Sequence, residues 1–421
     1  MSKYNTLAWD LKRDLMNFSK KITKEIGKPE QKLVSNMLYG IAESGSCHLS
    51  KIGRALKEKI SLKKTIERLS RGLKSFSKKK QQKLLDNYTE SIQREIDKQT
   101  VFVLDGSDVT KPCSEKLECL SLVRDGSTGE IEKGYFTFEI AALTKGSKSP
   151  VPVYDRVYSA AEKGFISETD EMLTGLKYLS KTFGNKGIRT LDRGYDSLVY
   201  YEYFLKAKEF FIIRATKNRS LIHNGNKLNI MELANRRKGK FCINFKSKKG
   251  ETISCKTSII PISLLKFPNV QLNLVIVYGF GKDPMLLLTN LKSDDSRLAN
   301  TIARVYLMRW RIEEYFRFKK QQYDFENFRV RSLNSIRVLH RILTLLAGFI
   351  GLLSEKRDES LFVMELIVLS KRIYRPKPEK WKRYFLHYAI ADGFFELLRR
   401  CSSGFTSFFA KPKYSAQLSF F

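Results

Sequence analysis

Acidic residues are scarce for the number of bases. Across 421 residues, 44 Asp and Glu stand against 77 Lys and Arg, a formal net charge of +33. That imbalance argues against an enzyme of small neutral metabolites. It favours a polyanionic partner: DNA, RNA or an anionic membrane surface. Cysteine is sparse as well. Cys47, Cys113, Cys119, Cys242, Cys255 and Cys401 form no C-x-x-C pair, and only four histidines accompany them. A structural zinc site is therefore not expected, and a reducing cytoplasmic compartment is. His48, His223, His340 and His387 are scattered without a motif, which argues against a histidine-based nucleophilic site. Long apolar runs are missing too. The longest without charge, Ile342 to Leu353, is bounded by Arg341 and Glu355. It is too short to span a bilayer and reads as a buried helix, so no membrane partner is expected. Asp10, Lys12, Arg13 and Asp14 stand where a signal peptide would need an apolar stretch. No internal repeat is visible. What is present is core material: 42% hydrophobic and 12% aromatic residues. That excludes disorder of the whole chain, and the length suits two to four domains.

Residues 1 to about 98 read as helical, with apolar residues at helical spacing in Leu33-Val34-Met37-Leu38-Ile41 and Leu84-Leu85-Tyr88-Ile92. The first 100 residues hold 23 bases and 11 acids, a net of +12. Within them, Cys47 to Leu73 suggests two short basic helices in a helix-turn-helix pattern. At Thr100 the pattern changes. Val101–Leu104 is a short apolar run ending at Asp105, a buried-strand signature. Strands are predicted at Leu117–Arg124, Phe136–Leu143, Val151–Tyr158, Ile188–Leu191 and Phe210–Ala215. Helices are predicted at Asp170–Phe183 and Ser197–Ala207. This mixture indicates a mixed sheet with flanking helices. Residues 216 to about 283 break the rhythm with a basic, strand-rich stretch, containing pieces at Phe241–Phe245, Thr252–Ile259 and Asn273–Tyr278. From Phe211 to Ile260 there are 12 bases and 2 acids, a net of +10. Leu286–Thr289 then returns to a buried strand. A long helix is predicted to start after Ser293-Asp294-Asp295 and to run through Lys320.

Asp105 and Asp192 share a context. Each follows a four-residue buried run and is read as opening a Gly-containing turn, Asp105-Gly106-Ser107-Asp108 and Asp192-Arg193-Gly194-Tyr195-Asp196. A carboxylate at the end of a buried strand sits on the rim of a sheet, within reach of a ligand. Two on neighbouring strands would repel each other without a cation between them, and hard oxygens suit Mg²⁺ or Mn²⁺. In the helix that follows, a count of ~100° per residue from Tyr306 places Arg309 at ~300°, Glu313 at ~340° and Lys320 at ~320°. One acid is thus framed by two bases and a phenol along a stripe. Met308, Ile312, Tyr315 and Phe316 form the packing face beside it. A salt-bridged solvated helix would account for Glu313 and Arg309 but not for Tyr306. An acid among cations suits a phosphodiester held against a metal.

Tyr306-x-x-Arg309-x-x-x-Glu313-x-x-x-x-x-x-Lys320 matches the Y-(2)-R-(3)-E-(6)-K signature, and here the sequence resembles bacterial insertion-sequence transposases of the "IS-four" type. Asp105-Gly106-Ser107-Asp108 and Asp192-Arg193-Gly194-Tyr195-Asp196 resemble the first and second aspartate motifs of that family. The resemblance covers about residues 100 to 332. It implies an α/β fold: an RNase H-like mixed-sheet catalytic core with a β-rich insertion, flanked by helical N- and C-terminal regions. The corresponding divisions are 1–98 (helical, DNA-binding), 99–215 (first part of the core), 216–283 (basic β insertion), 284–355 (second part, with the Glu-bearing helix) and 356–421 (helical, a candidate dimer contact). It also implies a DDE triad of Asp105, Asp192 and Glu313, serving as catalytic groups and as ligands of two Mg²⁺ or Mn²⁺ ions. The DNA backbone would be held by Tyr306, Arg309 and Lys320, with Arg193 as a further candidate. The implied activity is cut-and-paste transposition, by cleavage at transposon ends through a hairpin intermediate and strand transfer into target DNA. The implied partners are double-stranded DNA, both terminal inverted repeats and target, and a second protomer in a synaptic complex. The setting would be the bacterial cytoplasm, at the nucleoid.

Asp108 competes with Asp105 as the first ligand; Asp105 is preferred because it directly follows the apolar run. Glu314 falls at ~80°, off the stripe. Some relatives stack a Trp of the β insertion on a flipped base, but no Trp occurs between Trp9 and Trp310. Phe241, Phe245, Phe267, Tyr278 and Phe280 could substitute, although each fits the core of the insertion better. Two other readings stand beside the transposase: an inactive or domesticated DNA-binding relative, and a structure-specific nuclease on the same core. The protomer contact would involve Ile342–Leu353, Leu361–Leu369 and Phe394–Leu398, which core packing would explain equally well.

Overall fold

The computed structural model describes residues 3–126, 128–144, 149–246, 252–292, 297–355, 361–370 and 386–400. The chain opens with five helices: α1 (Lys3–Ile22), α2 (Lys28–Ser44), α3 (Leu49–Leu56), α4 (Leu62–Ser75) and α5 (Lys78–Ser91). Local chemistry sets their limits. Pro29 stands in the first turn of α2, where its missing N–H costs nothing. Gly45 ends the helix at φ 59°, donating its N–H to the Ile41 carbonyl at 3.0 Å. Ser61 and Ser77 cap α4 and α5 by accepting from the backbone N–H groups of Lys64 and Lys80.

The strands follow: β1 (Val101–Thr110), β2 (Ser121–Arg124), β3 (Ile131–Leu143) and β4 (Val151–Tyr158). Helix α6 (Glu168–Phe183) leads to β5 (Ile188–Leu191), and α7 (Leu198–Ala207) leads to β6 (Phe210–Arg214). These five longer or central strands lie in the order β4-β3-β1-β5-β6. Antiparallel pairs join β4, β3 and β1, and parallel pairs join β1, β5 and β6. Gly187 makes the entry into β5 possible. At φ 73° a Cβ there would lie 2.6 Å from the Thr100 carbonyl, so only glycine lets β5 come this close to β1.

Between β6 and β12 (Met285–Thr289) stand β7 (Ser220–His223), β8 (Asn226–Asn229), α8 (Ile230–Asn235), β9 (Phe241–Lys246), β10 (Thr252–Leu264) and β11 (Phe267–Tyr278). Because β12 pairs with both β11 and β6, these strands extend the central sheet into one of twelve strands among the described residues. The hairpin β7–β8 and helix α8 left no apolar run to announce them. β10 continues through Pro261, beyond the strand predicted at Thr252–Ile259.

The last helices are α9 (Leu298–Leu307), α10 (Arg311–Gln322), α11 (Leu333–Glu355), α12 (Leu361–Leu369) and α13 (Leu386–Arg400). The single long helix expected from residue 293 to Lys320 is a correction. Its cap signal lies outside the described residues, and a 3₁₀ turn at Met308–Trp310 separates α9 from α10. Helix α11 begins well before the apolar run Ile342–Leu353. It is long and apolar enough to cross a membrane by composition, yet 89% of its apolar window is buried inside the protein. The strand expected at Leu117–Arg124 shrinks to β2. Cys401 and the aromatic tail lie outside the described residues.

Candidate active site

The site forms where β1 outlasts its neighbour β5. β1 pairs with β5 only from Val101 to Val103, but with β3 along its whole length, from Val101 opposite Leu143 to Thr110 opposite Gly134. Asp105 therefore does not end its strand, as its sequence context suggested. It lies within β1 at the point where the sheet opens on the β5 side. Asp192 follows the last residue of β5 and enters a 3₁₀ turn, Arg193–Tyr195. Both aspartates thus come to the carboxyl end of the parallel strands, the position where open α/β sheets bind ligands.

The tightened turn between α9 and α10 delivers the third carboxylate and its companions. Arg309 lies in that turn and is only 4% exposed. Its Nη1 donates to Asp105 Oδ2 at 2.8 Å and its Nη2 to Glu313 Oε1 at 3.0 Å. Tyr306, at the end of α9, donates its hydroxyl to Asp192 Oδ1 at 3.3 Å. Asp105, Asp192 and Glu313, from three separate elements, are thereby gathered around one guanidinium and one phenol. Burial pushes the Asp105 carboxyl up to about 6; Arg309 opposes this, and Asp192 and Glu313 add to it. Burial also works against the charge on Arg309, but Asp105, Asp192, Tyr306 and Glu313 together hold its pKa above the ordinary value. The Tyr306 hydroxyl is raised to about 12 by burial and by Asp192.

Arg309, expected to hold the DNA backbone, has both its Nη groups engaged by carboxylates in the absence of DNA. Lys320 follows Glu313 by seven residues within α10, so it keeps to the same stripe two turns further along. There its Nζ lies 3.3 Å from Asp108 and 2.9 Å from Glu326. Asp108 is thus paired with Lys320, while Asp105 faces Arg309. Arg193 is exposed beside Asp192. Ile312, Tyr315 and Phe316 are buried, as their packing face requires.

Other parts of the site were not read from the sequence. Asp196, the last residue of the second aspartate string, has a fully buried carboxylate. It accepts from the Thr216 N–H and hydroxyl and from the Tyr201 hydroxyl, each at 2.7 Å, and pairs with Arg219 at 2.6 Å. These contacts fix the turn after Asp192 to the chain leaving β6. Arg214 ends β6, next to the strand that delivers Asp192, and its charge is felt by Tyr306. A charged residue closing an apolar strand was the available signal.

A row of acids also crosses the sheet. Asp105 lies opposite Glu139 of β3, and Glu139 lies opposite Asp155 of β4, so all three side chains share one face. Like charges in such a row repel, and basic side chains from α10 and α11 answer them. Lys319 and His340 hold Glu139, and His340 and Arg341 hold Asp155. Tyr315 adds a hydroxyl donor to Glu139 at 2.8 Å. Despite its burial, Glu139 is lowered to about 2 by Lys319 and His340. The helix carrying Glu313 is thus bolted to β3, the strand beside the one that carries Asp105.

Among the aromatics of the insertion, Phe245 is buried edge-on against Phe280, and the Tyr278 hydroxyl bonds to the Ala234 carbonyl. These are core contacts of the insertion. On α12, Leu361 and Val368 are largely exposed, whereas α11 is buried along most of its length.

Among the described residues, no group of three or more His, Cys, Asp or Glu is drawn together tightly enough to hold a metal ion. Arg309 stands between Asp105 and Glu313. The chemistry of the donor set nevertheless fits a divalent ion. The donors are hard carboxylate oxygens, three against one guanidinium, and Asp105 already requires positive charge beside it.

No curated protein matches the chain. Among solved structures it is similar to a piggyBac transposase synaptic complex with hairpin DNA, determined by cryo-EM. That likeness has 9% sequence identity and a TM-score of 0.47, and covers 93% of this chain and 78% of that one. Residues 167–347, a segment that carries Asp192, Tyr306, Arg309, Glu313 and Lys320 and begins beyond Asp105, match the family model of the transposase DDE domain.

Proposed function

We propose that the protein is a DDE transposase that cuts DNA at the ends of an insertion sequence and joins those ends to target DNA. The observation that carries this reading is the convergence of Asp105, Asp192 and Glu313 on Arg309 and Tyr306. The strand order β4-β3-β1-β5-β6, antiparallel then parallel, supports an RNase H-like core. The match of residues 167–347 supports the reaction class.

Asp105, Asp192 and Glu313 would hold two Mg²⁺ or Mn²⁺ ions. Bound there, the metal supplies Lewis-acid activation of the attacking hydroxyl and stabilisation of the leaving oxygen. The remaining groups position the substrate. Arg309, once released from Asp105 and Glu313, would neutralise a phosphate oxygen. Tyr306 keeps Asp192 oriented. Lys320, half exposed between Asp108 and Glu326, and the exposed Arg193 would hold the strand on either side of the scissile bond. Excision through a hairpin, a paired synaptic complex and a place at the bacterial nucleoid complete the proposal.

The test mixes purified protein with duplexes bearing the inverted repeats that flank its gene, in Mg²⁺ or Mn²⁺. We expect end-specific cleavage, lost in Asp192→Ala and in Glu313→Gln. Binding without cleavage by the native protein would instead identify an inactive relative. Cutting at junctions regardless of the repeat would identify a structure-specific nuclease.

A further inference from the structure

The N-terminal helices carry basic charge that the active site does not use. Helices α2, α3 and α4 pack together, and Gly53 of α3 lies against Leu62 and Thr65 of α4. Lys57 takes a left-handed conformation, φ 47°, to end α3 and turn the chain toward α4. Thr65, Leu69 and Leu73 form the buried face of α4. Glu58, in the turn, accepts from the Thr65 hydroxyl at 2.9 Å and from Arg68 at 2.7 Å. At the far end, Asn334 of α11 donates to the carbonyls of Lys74 and Phe76 at 3.0 and 3.1 Å. Helix α4 is therefore held at both ends and along one side.

Its other side is open. Lys63, Lys64, Glu67, Ser70, Arg71 and Lys74 are all exposed and fall within an arc of about 120°. A face serving only solubility would use its acid in i, i+4 pairs. Glu67 has Lys63 and Arg71 one turn away on either side, yet no ion pair among the described residues joins them. Acids elsewhere in this region are spent on other bases: Glu25 on Lys83, Glu30 on Lys80 and Glu58 on Arg68.

We propose that α4 is the helix that enters the major groove of duplex DNA, reading base edges with this face. The identity of that duplex as an element end rests on the transposase reading; the groove contact itself does not. At 14 residues, α4 is ~21 Å long. It is the second helix of a helix-turn-helix pair, which lies in the groove while the first helix crosses the backbone. Arg71 and Lys64 suit guanine O6 and N7, Glu67 suits the cytosine amino group, and Lys63 and Lys74 suit phosphates. The start of α3 is tied to the end of α10: the Cys47 N–H donates to the Tyr323 carbonyl at 3.0 Å, and Lys51 lies 3.8 Å from Asp324. A duplex bound on α4 is thereby set in fixed relation to the helix carrying Glu313.

The test is selection by the full-length protein, without divalent metal, from a randomised duplex library spanning about two helical turns. Affinities for the selected duplex and a shuffled one are then measured by fluorescence anisotropy. We expect the native protein to enrich one motif. Arg71→Ala should bind it roughly tenfold more weakly and lose preference at one position. Lys63→Ala and Lys74→Ala should weaken both duplexes alike, each reducing the salt slope by about 0.9. All substituted side chains are exposed, and unchanged melting temperatures would verify folding. An unselective native protein would overturn the proposal, as would α4 variants with native motif and affinity. If those variants bind as native while cleavage still requires Asp192, this inference alone fails. If they shift the motif but no metal supports cleavage, the transposase reading alone fails.

Discussion

Arg309 neutralises Asp105 and Glu313 at once, from a position with almost no solvent contact. Its removal would leave two carboxylates facing each other near Asp192. Because Glu313 is 40% exposed, water would screen part of that penalty. We expect Arg309→Met to destabilise the metal-free protein by about 2 kcal/mol, below the full cost of breaking a buried pair. A divalent cation should then raise the melting temperature of the variant more than that of the native protein, since it would meet three carboxylates without a competing guanidinium. Melting curves with EDTA and with Mg²⁺ decide this; equal shifts in both proteins would mean that Arg309 does not compete for the ligands. The residues that converge here were legible because an acid directly after a buried run and a fixed four-residue spacing are visible without knowledge of packing. Their pairings across the sheet were not, since Arg309 with Asp105 and Tyr306 with Asp192 depend on where α9 and the turn after it settle against β1 and β5.

Among the elements, α10 depends most on charges that the sequence showed only as exceptions. Glu139 and Asp155 are acids inside the buried stretches of β3 and β4, and each strand was recognised while its acid was passed over. That an acid interrupts a buried run is visible in one dimension; that three such acids line up across β1, β3 and β4 is a property of register. Lys319 is buried with Glu139, so Lys319→Met strands a charge and should cost about 3 kcal/mol. Adding Glu139→Gln should return part of that loss, which a double-mutant cycle in denaturant would measure. The pH dependence has a definite sign. Glu139 is held near 2 in the folded protein, against an ordinary 4.5. The native state thus binds fewer protons than the unfolded state over this range. Its stabilising contribution is full above pH 4.5 and fades as pH falls toward 2. The stability difference between native protein and Glu139→Gln should accordingly be flat from neutrality to about pH 5 and shrink below it. A difference that stays constant to pH 3 would show that the carboxylate is not held by its cations.

Over the whole molecule, the net charge of +33 divides into bases with different duties. Some are internal. Arg189 is fully buried against Glu209, Lys319 neutralises the acid row, and Arg337 is paired with Glu162. These cannot contribute to a surface field without breaking the core. Others, such as Lys64, Arg71, Lys74 and Arg193, face solvent. Binding to duplex DNA should therefore be governed by the exposed bases, and each phosphate neutralised releases counterions, with a slope near −0.9 in log affinity against log salt. If α4 and the site rim act together on one duplex, they would supply at least about six contacts and a slope steeper than about −5. Raising salt from about 50 to 200 mM should then weaken binding of a non-specific duplex by about a thousandfold. Removing Lys63 and Lys74 together should bring the slope nearer zero by about 2, while Lys319→Met should leave it unchanged. Anisotropy titrations across that salt range measure all three slopes. A native slope shallower than about −2 would mean that the basic surface does not track a duplex, and the charge would need another polyanion to explain it.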